Sequence, residues 1–488
     1  MIRKFLTHLC FIIVFVNISF AQTLFSKTKY QLETGTYFST TAITPFWLRS
    51  NQYGIVPLQA PVLTFRGSAN KEYDSTKNDR QKLKKFGIGY GFWGVANVGK
   101  QSGLFLPEAY LKVRFGAFEI YGGRRREVIG LVDTTLTSGS YIWSGNALPM
   151  PKLQISIPNY TSIIGHGLIS IKGAFAHGWF DNGYIKNYFL HQKWIYGRLG
   201  KPNWKIKFYG GFNHQVQWGG RYSSPQRDSN GLIIDKLPSG LNSYLNVVSG
   251  LSINQGNDGA VVGRPLNEAW NRIGNHLGTV DIGLESQINK YKFFIYRQSI
   301  YEDGSLFYLN NINDGLFGFS LKKNNIISIK KIGINAILFE YLNTTSQGGN
   351  TGSENIIPQL RGLDNYFNNS IYLDGWSYNS QSIGTPFFLD KNFLKLSDTN
   401  PVKFRNTRVQ SFILSLSGNF NNLYFLSRFS KTINYGTYFS PLKFNQNNIF
   451  FNFGYLLKKQ KLALNIEYEK TDFHKNKIGT FFSWTKYY

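Results

Sequence analysis

Residues Ser411–Phe420 read SFILSLSGNF, and their alternation decides the fold. Phe412, Leu414 and Leu416 fall in one phase, and Ser411, Ser415, Ser417 and Asn419 in the other. A strand sends successive side chains to opposite sides, so the segment predicts a sheet with one apolar and one polar face. Leu462–Lys470, LALNIEYEK, repeats the pattern: Leu462, Leu464, Ile466 and Tyr468 oppose Ala463, Asn465, Glu467 and Glu469. Ile449–Leu456, IFFNFGYL, alternates likewise, and the period of two runs through almost the whole chain. Helical spacing is rare, and its best instance is the polar stretch Asn70–Lys85.

A soluble sandwich would alternate in the same way, but two features favour a barrel in a membrane. Small and aromatic residues interleave within strands, as in GYGFWG (Gly89–Gly94), and the sequence closes on an aromatic strand, GTFFSWTKYY, with Phe482, Trp484 and Tyr488 in one phase. The 488 residues include 41 Phe, 30 Tyr and 49 Gly, and only 17% are charged, against roughly 25% in soluble domains. Past the N-terminus no apolar run approaches the ~20 residues of a spanning helix. The expectation is an all-β, transmembrane antiparallel β-barrel of the outer-membrane type, read as one domain over residues 22–488.

The N-terminus, MIRKFLTHLCFIIVFVNISFAQ, carries Arg3 and Lys4, an apolar run from Leu9 to Phe20, and small residues at Ser19 and Ala21. That pattern predicts a secretory signal peptide, residues 1–21, cleaved after Ala21. Cys10, the sole cysteine, lies within it, so disulfides and cysteine-based sites are excluded from the mature chain. Without the leader the net charge is +25. A secreted, strongly cationic chain seldom meets nucleic acid; acidic polysaccharide and the phosphates of lipopolysaccharide are the expected partners. Loops punctuate the strands at Lys71–Lys85, Gly219–Leu241 and Gln347–Glu354.

Several stretches together resemble the Wzi-type capsule-assembly outer-membrane proteins. They are TPFWLRSNQYGIVP (Thr44–Pro57), YGGRRREVIG (Tyr121–Gly130), SGSYIWSGNALPMPKLQISIPNY (Ser138–Tyr160), AHGWF (Ala176–Phe180) and LHQKWIYGRLG (Leu190–Gly200). NRIGNHLGTVDIGLE (Asn271–Glu285), YRQSIYEDGS (Tyr296–Ser305), NDGLFGFSL (Asn313–Leu321), DNYFNNSIYLDGWSYNSQSIGTPFF (Asp364–Phe388) and FRNTRVQ (Phe404–Gln410) extend the series. The resemblance implies a barrel of about eighteen strands, a small periplasmic helical part, and a non-enzymatic role as a lectin holding exported capsular polysaccharide at the cell surface.

The run Arg124–Arg126 tests the inward and outward assignments. Strands Leu106–Arg114 and Phe118–Glu127, joined at Gly116-Ala117, would turn Glu108, Tyr110, Lys112, Arg114, Glu119 and Tyr121 to the lumen and Leu111, Val113, Phe118 and Ile120 to lipid. Strict alternation then sends Arg124 and Arg126 outward, at roughly 2–4 kcal/mol each near mid-bilayer. Either they lie beyond the apolar band, or Gly122-Gly123 form a bulge that reverses the phase. Inside, the arginines brace the wall through Glu108, Glu119 or Glu127, or grip sugar carboxylates in bidentate fashion.

Carbohydrate recognition also needs flat aromatic faces with polar neighbours. Trp143 with Asn146, and Trp179 beside His177, have that chemistry, and the alternative for the tryptophans is the interfacial girdle. His191 and Lys193 share a strand face and complete the candidate polysaccharide-binding set. His177, His191 and His214 fall on strands expected to be neighbours, but no HxxxH or HExxH spacing occurs, so no metal or other cofactor is expected. An anion-selective porin shares the fold. A barrel lipid hydrolase would need Ser138, Ser140 or Ser144 to approach His177 or His191, without a GxSxG motif to support it.

Overall fold

The computed structural model describes residues 27–73, 85–227, 231, 233–250, 272–302, 305–324, 333–352, 357, 360, 362–394 and 401–488. Its wall is an antiparallel meander of eighteen strands, from Lys29–Ser39 to Lys477–Tyr487. Each strand pairs with the next along the wall, and the last returns to the first with Gln31 opposite Tyr487 and Ser39 opposite Gly479. Closure leaves no strand edge, the condition for placing sheet backbone in hydrocarbon.

The strand parity follows the alternation. In Val409–Phe420, Phe412 and Leu414 are 43% and 41% exposed, whereas Ser411 and Ser415 are fully buried. Leu462 and Leu464 face out, and Glu467 and Glu469 are buried within. The hairpin at Gly116-Ala117 also forms as expected. Phe115 pairs with Phe118, and Gly116 adopts φ +60°, a left-handed conformation that suits glycine. Leu111, Phe115, Phe118 and Ile120 are exposed on the outer face, and Lys112, Glu119 and Tyr121 are buried within. A closed barrel with this apolar outer belt belongs in the outer membrane of a Gram-negative bacterium.

One rim carries tight turns, such as 116–117, 289–290, 421–422 and 458–459; the other carries long segments, among them 40–61, 125–150, 219–274 and 344–408. The short-turn rim is periplasmic and the long-loop rim extracellular. The three described helices, Phe46–Arg49, Leu241–Ser249 and Lys391–Leu394, all belong to extracellular segments. None of the described residues supplies the periplasmic helical part. The helical candidate Asn70–Lys85 lies outside the described residues at 74–84, as does the leader.

Leu414 lies at the middle of a lipid-facing strand, so Leu414→Arg is expected to destabilise the barrel by about 2–4 kcal/mol. Urea titration in phosphocholine vesicles measures this, and an unchanged midpoint would contradict the outward assignment.

Candidate functional site

The lumen is filled. Several extracellular segments fold inward and bring a single aromatic core with them, including Trp47, Tyr141, Tyr366, Phe367 and Trp376, all at most 2% exposed. Phe367 packs on Phe388 and Tyr141, at ring separations of 4.8 and 5.0 Å. Inward loops carry backbone N–H groups that strand pairing does not satisfy, and each buried one needs an acceptor.

Acidic and amide side chains on the lumenal face supply those acceptors. Glu469 accepts from Phe46 N at 2.8 Å, and the two oxygens of Glu467 accept from Trp47 N and Leu48 N, both at 2.8 Å. Glu340 accepts from Ser138 N and the Thr137 hydroxyl, both at 2.6 Å, and Asp281 from Leu131 N at 2.8 Å. Gln298 accepts from Tyr141 N at 2.9 Å and Glu302 from Phe367 N at 3.0 Å. The charge left on Glu469 is met by Lys477 at 2.9 Å. Those accepted by carboxylates, unlike the bond to the neutral Gln298 amide, are charge-assisted in a water-poor interior, where such bonds are strongest.

The arginine run lies inside this arrangement. The strand ends at Arg124 without a bulge against its neighbour; Gly123 adopts φ +121° and the chain then leaves the wall inward. None of these three arginines therefore meets lipid. Arg124 donates to Pro149 O at 3.0 Å and to the Tyr378 hydroxyl at 2.9 Å. Arg125 pairs with Glu119 at 2.6 Å, and Arg126 pairs with Glu108 at 2.9 Å while lying 4.4 Å over Trp93. All three brace wall to plug, so the alternative of arginines open to a sugar carboxylate loses its geometric basis. Trp143 is likewise occupied, between Lys152 at 4.7 Å and Trp376 at 6.0 Å. The Asn146 amide bonds Asn51 N and Ser382 O, both 3.0 Å away.

His177, Trp179, His191 and Lys193 do share a face, but it is the outer one. Their strand neighbours Ala176 and Gln192 point inward, Gln192 accepting from Lys152 at 2.7 Å. The helix Leu241–Ser249 covers part of the set: Tyr244 rings lie 6.1 Å from His177 and 5.7 Å from His191, and Lys193 Nζ donates to Val248 O. The arginines and these residues are thus on opposite sides of the wall and cannot form one site. The same separation removes the hydrolase geometry. The Ser140 and Ser144 hydroxyls donate to Ile129 O and Gly384 O at 2.5 and 2.6 Å inside the plug, away from both histidines.

A cavity of about 470 Å³ remains at the extracellular mouth. Phe388, Phe393 and Phe404 supply apolar wall, Gln101, Asn146, Asn379 and Gln381 supply amides, and Arg49 supplies a cation. The Arg49 guanidinium lies 4.7 Å from the Phe393 ring centre, and neither Nε nor Nη2 has a hydrogen-bond partner among the described residues. Burial lowers its pKa from the ordinary value, against the opposing pull of Glu469, Asp390 and Glu467. An arginine held this way retains donor capacity for an anionic ligand. Arg49 belongs to the stretch TPFWLRSNQYGIVP, yet nothing in its spacing distinguishes it from a wall arginine. The sequence reading places Glu467 and Glu469 only on the polar face of their strand; their signal is two acids two residues apart on one face.

No family model and no curated protein matches the chain. Among solved structures, Pseudomonas aeruginosa OpdQ is 9% identical, with 95% of this chain and 99% of that chain covered and a TM-score of 0.44. Acinetobacter baumannii OccAB4 is 10% identical over the same shares, with a TM-score of 0.44. Pseudomonas aeruginosa OpdL is 9% identical over 94% and 97%, with a TM-score of 0.42.

Glu467→Ala strips acceptors from two buried N–H groups, at about 1–3 kcal/mol each. Hydrogen exchange at Trp47 and Leu48 is expected to accelerate by tenfold or more with the wall strands still protected. Unchanged exchange at both would show that the carboxylate does not hold the plug.

Proposed function

We propose that this chain is a plugged outer-membrane barrel that holds a surface polysaccharide non-covalently at its extracellular mouth, the role its resemblance to capsule-assembly proteins implies. The observation that carries this reading is the cavity around Arg49. It combines an arginine with unpartnered nitrogens, three phenylalanine rings and several side-chain amides. Rings accept sugar C–H faces, amides match hydroxyls, and a guanidinium matches a carboxylate. The filled lumen supports retention at the surface over passage through the wall.

A second reading, an anion-selective porin, draws on the cations of the lumenal face. Lys112, Arg125, Lys152 and Lys207 all point inward. Each of these four is paired with an acid, at 2.5, 2.6, 2.6 and 2.9 Å, which removes them as free anion-selecting charges.

The test is binding of the refolded barrel to the source cell's own purified surface polysaccharide, alongside single-channel conductance in planar bilayers. Wild type is expected to bind, more weakly at high salt, and to conduct no steady current. Arg49→Ala is expected to weaken binding by about tenfold or more, the equivalent of one charged hydrogen bond, and Arg49→Lys to restore part of it. Steady conductance without polysaccharide binding would establish the porin reading instead.

A further inference from the structure

Separate from the wall, three short strands of the extracellular segments, Ile185–Lys186, Arg221–Arg227 and Ile233–Lys236, form a small sheet. Its register places Arg221 directly opposite Lys186 on one side and Lys236 on the other. Three cations therefore stand in one row across the sheet, and all three are exposed. Ile185 and Tyr222, adjacent in sequence to Lys186 and Arg221, are buried against the plug, as is Ile234. Like charges directly opposite each other destabilise a sheet. The acid beside the row is Asp235, 3.4 Å from Arg221, and both side chains are about half exposed. Among the described residues Lys186 and Lys236 form no ion pair.

Five residues beyond Lys236 begins the helix Leu241–Ser249, which packs on the outer face of the wall. Val247 and Tyr244 meet Val216, Trp218 and Phe189. On its other side Leu241 and Leu245, one turn apart, are 74% and 59% exposed. Trp179, 44% exposed, marks the extracellular end of its strand as an interfacial aromatic does, while Phe189 and Trp218 at the same ends lie beneath the helix. Lys186 follows Trp179 by seven residues, and Arg221 follows Trp218 by three. This sector thus has exposed cations just beyond the strand ends and, among the described residues, exposed leucines on the helix beside them.

We propose that the sector binds a phosphate-bearing lipid of the outer leaflet, its phosphates on the row Lys186, Arg221 and Lys236 and its acyl chains along Leu241 and Leu245. A free anionic polysaccharide would match the row but leave the leucines in water. A neutral lipid would match the leucines but not the row. The inference is independent of the mouth cavity, which lies among different segments.

The test uses the full-length folded barrel in detergent, incubated with vesicles containing diphosphorylated lipid A or its dephosphorylated form, and reads lipid retained per barrel after gel filtration. Wild type is expected to retain the phosphorylated form at least tenfold better. K186Q/R221Q/K236Q is expected to lose that preference, and L241S/L245S to lower retention of both forms. K458Q/K459Q, at a periplasmic turn, removes charge elsewhere and should change nothing. Wild-type retention by the folded triple variant, or equal retention of both lipids by wild type, would overturn the proposal. So would complete displacement of the lipid by lipid-free polysaccharide, which would assign the row to a glycan. Polysaccharide binding by the triple variant, measured in parallel, separates this outcome from any failure of the mouth cavity.

Discussion

The structure depends on one exchange: carboxylates of the barrel wall accept the backbone N–H groups of loops folded into the lumen. Each partner would be unfavourable alone. A buried carboxylate without donors carries a large desolvation penalty, and an inward loop without acceptors leaves orphan amides. Glu467 illustrates the solution, with each oxygen taking one amide of the helix Phe46–Arg49. Glu340 and Asp281 do the same for the inward segment 125–150, and Glu302 for 344–408. The wall and plug are therefore not separable layers, because each satisfies groups that the other buries.

That exchange also redistributes the charge. The chain is strongly cationic, yet the lumenal cations are largely neutralised in place: Arg125 by Glu119, Lys152 by Glu127, and Lys207 by Glu285. Acids facing the lumen are used twice, for wall cations and for plug amides, so inward positive charge is consumed by structure. Inward Lys172, Arg198 and Arg428 are held by rings, a hydroxyl and backbone carbonyls in place of acids, and exposed cations stand at the extracellular side in the row around Arg221. A high net charge locates a binding surface only after these internal pairs have been subtracted.

Sequence parity was legible wherever one face met lipid and the other met the plug. Phe412 and Leu414 against Ser411 and Ser415, and Leu464 against Glu467, give contrast enough to orient a strand. It failed at the extracellular ends of Phe189–Leu199 and Ile206–Trp218. There both phases carry polar residues, His191, Lys193 and His214 in one and Gln192, Gln215 and Gln217 in the other. The reason is physical: the outer face at that height is covered by the helix Leu241–Ser249 and not by hydrocarbon, so the requirement for apolar outward residues lapses. For the arginine run, the bracing through Glu108 and Glu119 was legible, but the end of the strand was not. Alternation was extended to Glu127, but the strand ends at Arg124, and Gly123 lets the chain turn inward before the parity rule could place Arg126 in lipid.

The inward fold of the loops has no local sequence signature, because it is decided by partners hundreds of residues away, as Phe46 and Glu469 are. It nevertheless fixes the candidate site. The helix whose first amides are held by Glu467 and Glu469 ends at Arg49, and a helix of four residues has no freedom to swing its last side chain independently. Packing of Trp47 against Arg428, at 4.4 Å, and its indole bond to Ser430 at 3.0 Å set the helix rotation as well. The wall carboxylates that close the lumen thereby also aim the guanidinium at the mouth, so the plug and the cavity above it are products of the same contacts.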